Sequence, residues 1–313
     1  MALEIARRTP EAFPQGEVQM LQKQVEDLFS VPAETRKDLI KGSENEKIRK
    51  LWLRVREGLN IGAIKSVEKN EEGEWQVHPW VRQAAIAGII AGDLVTYRFA
   101  DNPYQDFSER DTLPPQDIDY EGGNIRKLPG ALIRDGSRIE NNTVFMNGAF
   151  VNVGGSVGEG TMIDSNGLVG SLAYVGKMCH VSMNAGLAGV LEPFEALPNI
   201  AEDASFMGAY SALTGGVVLG TKGVLAPGTK IHRTLAVIDE VHGKIIRAEP
   251  GKHLKIPDYA VVVPGNRYDR DRNGMISSDR ETFGFGTYTP VIKKYRDEKT
   301  DAETAIEEAL RIA

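Results

Sequence analysis

From Ala131 onward an apolar residue returns at every sixth position, through Ile133, Ile139, Phe145, Val151, Val157, Ile163, Val169, Val175, Val181 and Leu187. Two places ahead of each stands a small residue: Ala131, Ser137, Thr143, Ala149, Gly155, Thr161, Gly167, Ala173, Cys179 and Ala185. A period of six fits neither a helix nor a simple strand alternation. It is the hexapeptide signature of a parallel β-helix, in which each unit supplies one short strand and one turn. Three units close a triangular coil of about eighteen residues. The apolar residue points into the prism and the small one fits a tight corner. The expected fold is mainly β: a left-handed parallel β-helix with an N-terminal α/β domain and a short C-terminal extension.

Three regions are expected, at 1–120, 121–265 and 266–313. The first is mainly helical. Val18, Leu21, Val25, Leu28 and Phe29 recur at helical spacing and predict a helix ending before Val31-Pro32. A second helix is expected over 45–56, with Ile48, Leu51 and Val55 on one face. Residues 64–67 and 74–77 flank a polar turn and predict a hairpin. The apolar run after Pro79 predicts a buried helix, and the Pro- and acid-rich stretch 101–122 a linker without periodicity. A final helix is expected over 301–312.

The chain has 313 residues, enough for two or three cores. Its 37 basic and 44 acidic residues give a net charge of −7, which argues against a nucleic-acid-binding surface. The one cysteine, Cys179, permits no intrachain disulfide and suits a reducing cytoplasm. Cys179 occupies a small-residue corner of the repeat, so a packed core thiol is expected rather than a nucleophile. No long apolar run predicts a membrane span, and residues 1–20 lack a signal-peptide core.

After Leu187 the next in-phase residue is taken to be Ile200, an insertion of seven residues within 188–199. A solenoid accepts insertions at corners, and this loop is expected as a flap over a groove beside a neighbouring subunit. The phase then resumes through Phe206, Ala212, Val218 and Val224.

The same arithmetic predicts the outer surface. Asp164 follows inward Ile163, with Met146 one coil below and Ser182 one coil above. A carboxylate between a thioether and a hydroxyl on a flat wall is a candidate base. Gly158 with Gly176, and Gly170 with Ala188, form nearly side-chain-free columns against which a thin extended ligand, such as a pantetheine arm, could lie. Of the five histidines (His78, His180, His232, His242 and His253), only His180 falls in the regular repeat. No pair has the spacing of a zinc site, so no metal is expected. His180 itself is read as a hydrogen-bonded turn residue.

The stretch 159–164 (EGTMID), Val169-Gly-Ser, 186–193 (GLAGVLEP) and Ala201-Glu-Asp resemble the tetrahydrodipicolinate N-succinyltransferases of bacterial lysine biosynthesis. So do 125–134 (IRKLPGALIR) and 74–80 (EWQVHPW). The resemblance implies a cytoplasmic homotrimer that moves the succinyl group of succinyl-CoA onto ring-opened tetrahydrodipicolinate. It implies that Arg126 binds a substrate carboxylate and that Asp164 holds the amino end and acts as the catalytic carboxylate, with Ser182 beside it. Gly186, Ala209 and Ala226 fall where the coenzyme would run, and Lys255 and Arg267 are candidates for its phosphates. Part of the family carries a glutamate where this chain has Ala212, which leaves Asp164 as the evident acid–base group. An acetyl donor, a related amino-dicarboxylate acceptor and a non-catalytic β-helix scaffold remain as alternatives.

Overall fold

The computed structural model describes residues 13–98, 106–193, 196–267 and 286–297. Within them the six-residue code becomes a triangular coil. Most strands are two or three residues long, and each pairs in parallel with the strand one coil away: Val157 with Val175, Ile163 with Val181, Val169 with Leu187. Every third strand therefore joins the same sheet. Sheet A starts at Arg126–Lys127 and rises through Val144–Phe145, Met162–Ile163, His180–Val181, Phe206–Met207 and Val224–Leu225. Sheet B starts at Leu132–Ile133 and sheet C at Arg138–Ile139.

Phe145, Val151, Val157, Ile163, Val169 and Val175 are fully buried inside the prism. The small residues close the corners, and their hydroxyls satisfy backbone groups there. Ser137 Oγ donates to the Arg134 carbonyl at 2.6 Å and Thr161 Oγ1 to that of Gly176 at 2.7 Å. The residue just ahead of the small one takes a left-handed conformation at successive corners: Asn142, Gly148, Gly154, Gly160, Asn166, Leu172, Met178 and Asn184. Glycine and asparagine tolerate that region; leucine does so at a cost of about 1–3 kcal/mol. Leu172 is held there because it is buried in the core of the helical region, next to Val153.

Past the insertion the register differs from the sequence expectation by one residue. Tyr174 pairs with Ile200 and Val175 with Ala201, so Ala201, not Ile200, faces inward. Met207, Leu213, Leu219 and Leu225 continue the inner column, each at most 1 % exposed. Phe206, Ala212, Val218 and Val224 face outward instead. A one-residue slip exchanges the faces of a strand. The apolar pairs Val218-Leu219 and Val224-Leu225 hide that slip from sequence alone.

The N-terminal region carries α1 (Gln15–Phe29), α2 (Ala33–Lys41), α3 (Asn45–Ile61) and α4 (Pro79–Ala91). Sequence predicted all but α2, which has one buried residue, Ile40. The expected hairpin is present as β1 (Val67–Lys69) against β2 (Trp75–Val77). The expected linker is partly structured, because β3 (Leu94–Tyr97) pairs antiparallel with β4 (Phe107–Arg110). At the other end the coil finishes in a long strand, Ala260–Arg267, which continues sheet A and pairs antiparallel with Thr287–Tyr295. The expected charged tail thus returns to the sheet, burying Ile292. The helix expected over 301–312 lies outside the described residues.

Candidate active site

Sheet A carries the predicted pair on its outer face. Arg126 is in register with Val144, which pairs with Met162, and Asp164 follows two residues after Met162. The ladder of backbone bonds places Met146, Asp164, Ser182, Gly208 and Ala226 in one column. Met146 N donates to Ile163 O at 2.9 Å, Asp164 N to Val181 O at 2.8 Å, Ser182 N to Met207 O at 2.9 Å and Gly208 N to Leu225 O at 2.8 Å. Steps along that column are about 4.8 Å. The Arg126 guanidinium reaches Met146 Sδ at 4.0 Å, directly below the aspartate. A cation, an apolar thioether and a carboxylate therefore succeed one another along one edge of the sheet.

Asp164 is partly exposed, its side chain at 27 %. One oxygen accepts the backbone N–H of Ser165 at 2.6 Å, which fixes the carboxylate in its turn. The other lies 3.5 Å from His180 Nε2. His180 is therefore not the turn residue expected: it sits in a strand of sheet A and faces the same side as Asp164. Spacing could have shown this. His180 stands eighteen residues above Met162, and Met162 is two short of Asp164, so the residues sixteen apart share a face.

Ala226 heads the aspartate column, its N–H bonded to Val262 O at 2.8 Å. Ala209 lies in the adjoining corner, where its carbonyl accepts Gly228 N at 2.8 Å. Gly186 is around that corner on sheet B, between Leu168 and Ala212. These small residues flank the A–B edge above Asp164. Lys255 does not join them: it lies on sheet C in register with Val218. Arg267 ends the long strand, opposite Thr287.

The two glycine columns also lie elsewhere. Gly158 and Gly176 open the corner from sheet C to A, and Gly170 the corner from B to C. Their missing side chains are explained by coil packing. A Cβ on Gly158 would come within 2.5 Å of the Gly176 carbonyl carbon, and one on Gly176 within 2.7 Å of Asp203 N.

The inserted loop is not a free flap in its described parts. Arg82 of α4, 1 % exposed, donates to the carbonyls of Pro193 and Ala196. Leu191 packs on the helical core, and Asn199 Nδ2 ties the loop base to Ala188 O at 2.8 Å. Cys179 is buried as expected, with Sγ 3.1 Å from Glu202 O, and burial pushes its thiol up to about 11. Among the described residues no group of three or more His, Cys, Asp or Glu side chains is placed to hold a metal ion. None of the described helices is long and apolar enough to cross a membrane.

A concavity of about 470 Å³ lies away from the Asp164 edge, between the helical region and sheet C, with Trp75, Tyr174 and Arg138 in its lining. Of the acidic residues in its lining, Glu202 is 4 % exposed and closely held. Trp75 Nε1 donates to it at 2.6 Å, Lys69 Nζ at 3.0 Å, and Thr221 gives both N–H and hydroxyl at 3.2 and 3.1 Å. Burial alone would raise the Glu202 pKa; these bonds together hold it below the usual glutamate value.

Residues 20–87 match the family described as tetrahydrodipicolinate N-succinyltransferase N-terminal. Over 266 residues the chain is 34 % identical to the 2,3,4,5-tetrahydropyridine-2,6-dicarboxylate N-succinyltransferase of Xylella fastidiosa, covering 85 % of this chain and 90 % of that protein. A protein of the same name from Caulobacter vibrioides is 36 % identical over 266 residues, covering 81 % and 87 %. Another, from the Wolbachia of Brugia malayi, is 31 % identical over 302 residues, covering 94 % and 99 %.

Proposed function

Because the chain belongs to the tetrahydrodipicolinate N-succinyltransferase family, we propose that its sheet A edge moves the succinyl group of succinyl-CoA onto the amine of ring-opened tetrahydrodipicolinate, a step of lysine and diaminopimelate biosynthesis. The observation that carries this reading is the Arg126–Met146–Asp164 succession. Arg126 offers a planar fork for a substrate carboxylate. Asp164, one coil beyond the thioether, accepts the proton that the amine nitrogen loses as it attacks the thioester carbon. The C–N bond forms, the C–S bond breaks, and the coenzyme thiolate leaves and takes up a proton. Ser182 is the hydroxyl one coil on, available to either substrate.

Gly208 and Ala226, above Ser182 in the column, and Gly186 and Ala209 beside it, leave room for the coenzyme's narrow arm. Arg267 remains a candidate for its phosphates. Lys255, on another face, serves that role only if a second prism brings its sheet C toward this edge.

In this reading residues 1–120, 121–265 and 266–313 are a helical cap, a left-handed acyltransferase prism and an extension, in a cytoplasmic enzyme with no resident metal. Three copies form a closed ring whose grooves lie between prisms, since one flat face offers half a groove. A sedimentation mass of about three chains is expected; a monomer under assay conditions contradicts the shared groove. The deciding assay is thiol release from succinyl-CoA, then acetyl-CoA, with tetrahydrodipicolinate or 2-aminopimelate. Release with succinyl-CoA is expected to dominate. Preference for acetyl-CoA would reassign the donor, and no release with either would favour a scaffold.

A further inference from the structure

We propose that His180 is a positioning and proton-relay residue for Asp164: it orients the carboxylate and accepts the proton that Asp164 takes from the amine. The inference rests on the acyl-transfer reading above, which makes Asp164 the base. Its observation is a separate one, the 3.5 Å approach of His180 Nε2 to Asp164 Oδ2.

The coil enforces that approach. Met162 pairs with His180 across sheet A, and both Met162 and Asp164 flank inward Ile163, so all three outer side chains leave the same face. The imidazole is braced from the next coil by Phe206, whose ring meets it edge-on at 5.1 Å and 84°. The His180 backbone N–H donates to Ser205 O at 3.1 Å, and the next residue, Val181, is buried in the prism, so the strand that carries the ring is fixed. The ring therefore cannot drift far from the carboxylate. Because Ser165 N–H holds Oδ1, Oδ2 is the oxygen left to the imidazole.

The chemistry needs such a partner. A carboxylate that has taken a proton must shed it before the next turnover, and imidazole titrates nearest to neutrality of the side chains. In the relay the amine proton moves to Oδ2 and from Oδ2 to Nε2 of the neutral ring. Because Nε2 itself is buried, the imidazolium then releases the proton of its other nitrogen, Nδ1, to solvent or to the departing thiolate. One N–H bond is lost, one S–H bond is gained, and nothing is oxidised or reduced. The groups that set the ring's charge on this face are Asp164, which favours the imidazolium, and Arg126 further down the sheet, which opposes it. The strands on either side contribute Met162 and Phe206, neither charged.

The test is steady-state kinetics of His180→Gln and His180→Ala, the second with added imidazole. A relay predicts that kcat falls about 100-fold in both, while KM for the amino-dicarboxylate stays within about threefold. Imidazole should restore His180→Ala at least about tenfold, in proportion to its free-base fraction. Near-normal kcat in His180→Gln, or loss of activity in His180→Ala that imidazole leaves untouched, would overturn it.

A readout independent of turnover separates this proposal from the acyl-transfer reading. The His180 ring protons, followed by NMR, should titrate at lower pH in Asp164→Asn than in the parent protein. Identical titrations would overturn the contact, whereas a parent protein that releases no thiol would overturn the acyl-transfer reading instead.

Discussion

Asp164 and Glu202 both leave the outside of the same prism, each one residue after an inward side chain, Ile163 in one case and Ala201 in the other. Their surroundings separate them. Glu202 is covered by the N-terminal hairpin and takes bonds from an indole, an ammonium, a hydroxyl and a backbone amide. Asp164 is only partly covered by the described residues, its side chain remaining 27 % exposed. It has a backbone bond on one oxygen and a histidine at 3.5 Å from the other. A buried carboxylate with its lone pairs filled stabilises a docked domain and has no capacity left for a substrate. A partly exposed carboxylate can trade a proton. On the proposed reading, the covered face of this prism is structural and the more open edge is chemical.

Asp164→Asn gives the largest expected effect. It preserves shape and removes the base, so turnover should fall by about two to four orders of magnitude. Its thermal midpoint should stay near that of the parent. Near-normal thiol release would break the comparison on its chemical side. Glu202→Ala should act the other way. It strands the Trp75 N–H and the Thr221 donors against an emptied site, while the half-exposed Lys69 can turn to solvent, so calorimetry or urea unfolding should show a loss of about 1–3 kcal/mol. Turnover per folded molecule should hold. A stable Glu202→Ala protein with collapsed turnover would move the chemistry to sheet C.

Arg126→Lys keeps the charge and loses the two-pronged fork. KM for the amino-dicarboxylate should rise about tenfold, more than turnover falls. Selective weakening of the coenzyme would mean that donor and acceptor ends are reversed. The smallest effect concerns acid stability. The Glu202 pKa in the folded protein lies below the ordinary value of 4.5, so its contribution is complete above that value. It is lost as pH falls through the folded value, by about 1.4 kcal/mol for each unit of depression. Glu202→Gln should flatten this part of the unfolding curve, and an unchanged acid limb would show that other carboxylates carry it.

Much of this architecture was legible in sequence because a solenoid writes its core as a strict period. Inward residues from Ile133 to Leu187, the buried corner at Cys179 and the Met146–Asp164–Ser182 column follow from counting alone. Counting failed where the period was interrupted. The insertion returns the chain to phase at Ala201, and alanine is too weak an apolar signal to outrank Ile200 beside it. Strands β3 and β4 went unseen because none of their residues is buried, Leu94 being the most exposed of the apolar ones, and they show no apolar alternation. The His180–Asp164 approach was written in the same spacing, since residues sixteen apart share a face, but it shows only when flanking positions are compared as well as whole coils. The Glu202 cluster joins Lys69, Trp75 and Thr221 across long stretches of chain, and no local pattern announces it.

The most direct test is a crystal structure of the protein with 2-aminopimelate bound. The account predicts the ligand at the sheet A edge, with its amino group within hydrogen-bonding distance of Asp164 and a carboxylate forked by Arg126. Ligand seated instead between Trp75 and Tyr174, with the Arg126–Asp164 edge bare, would contradict it.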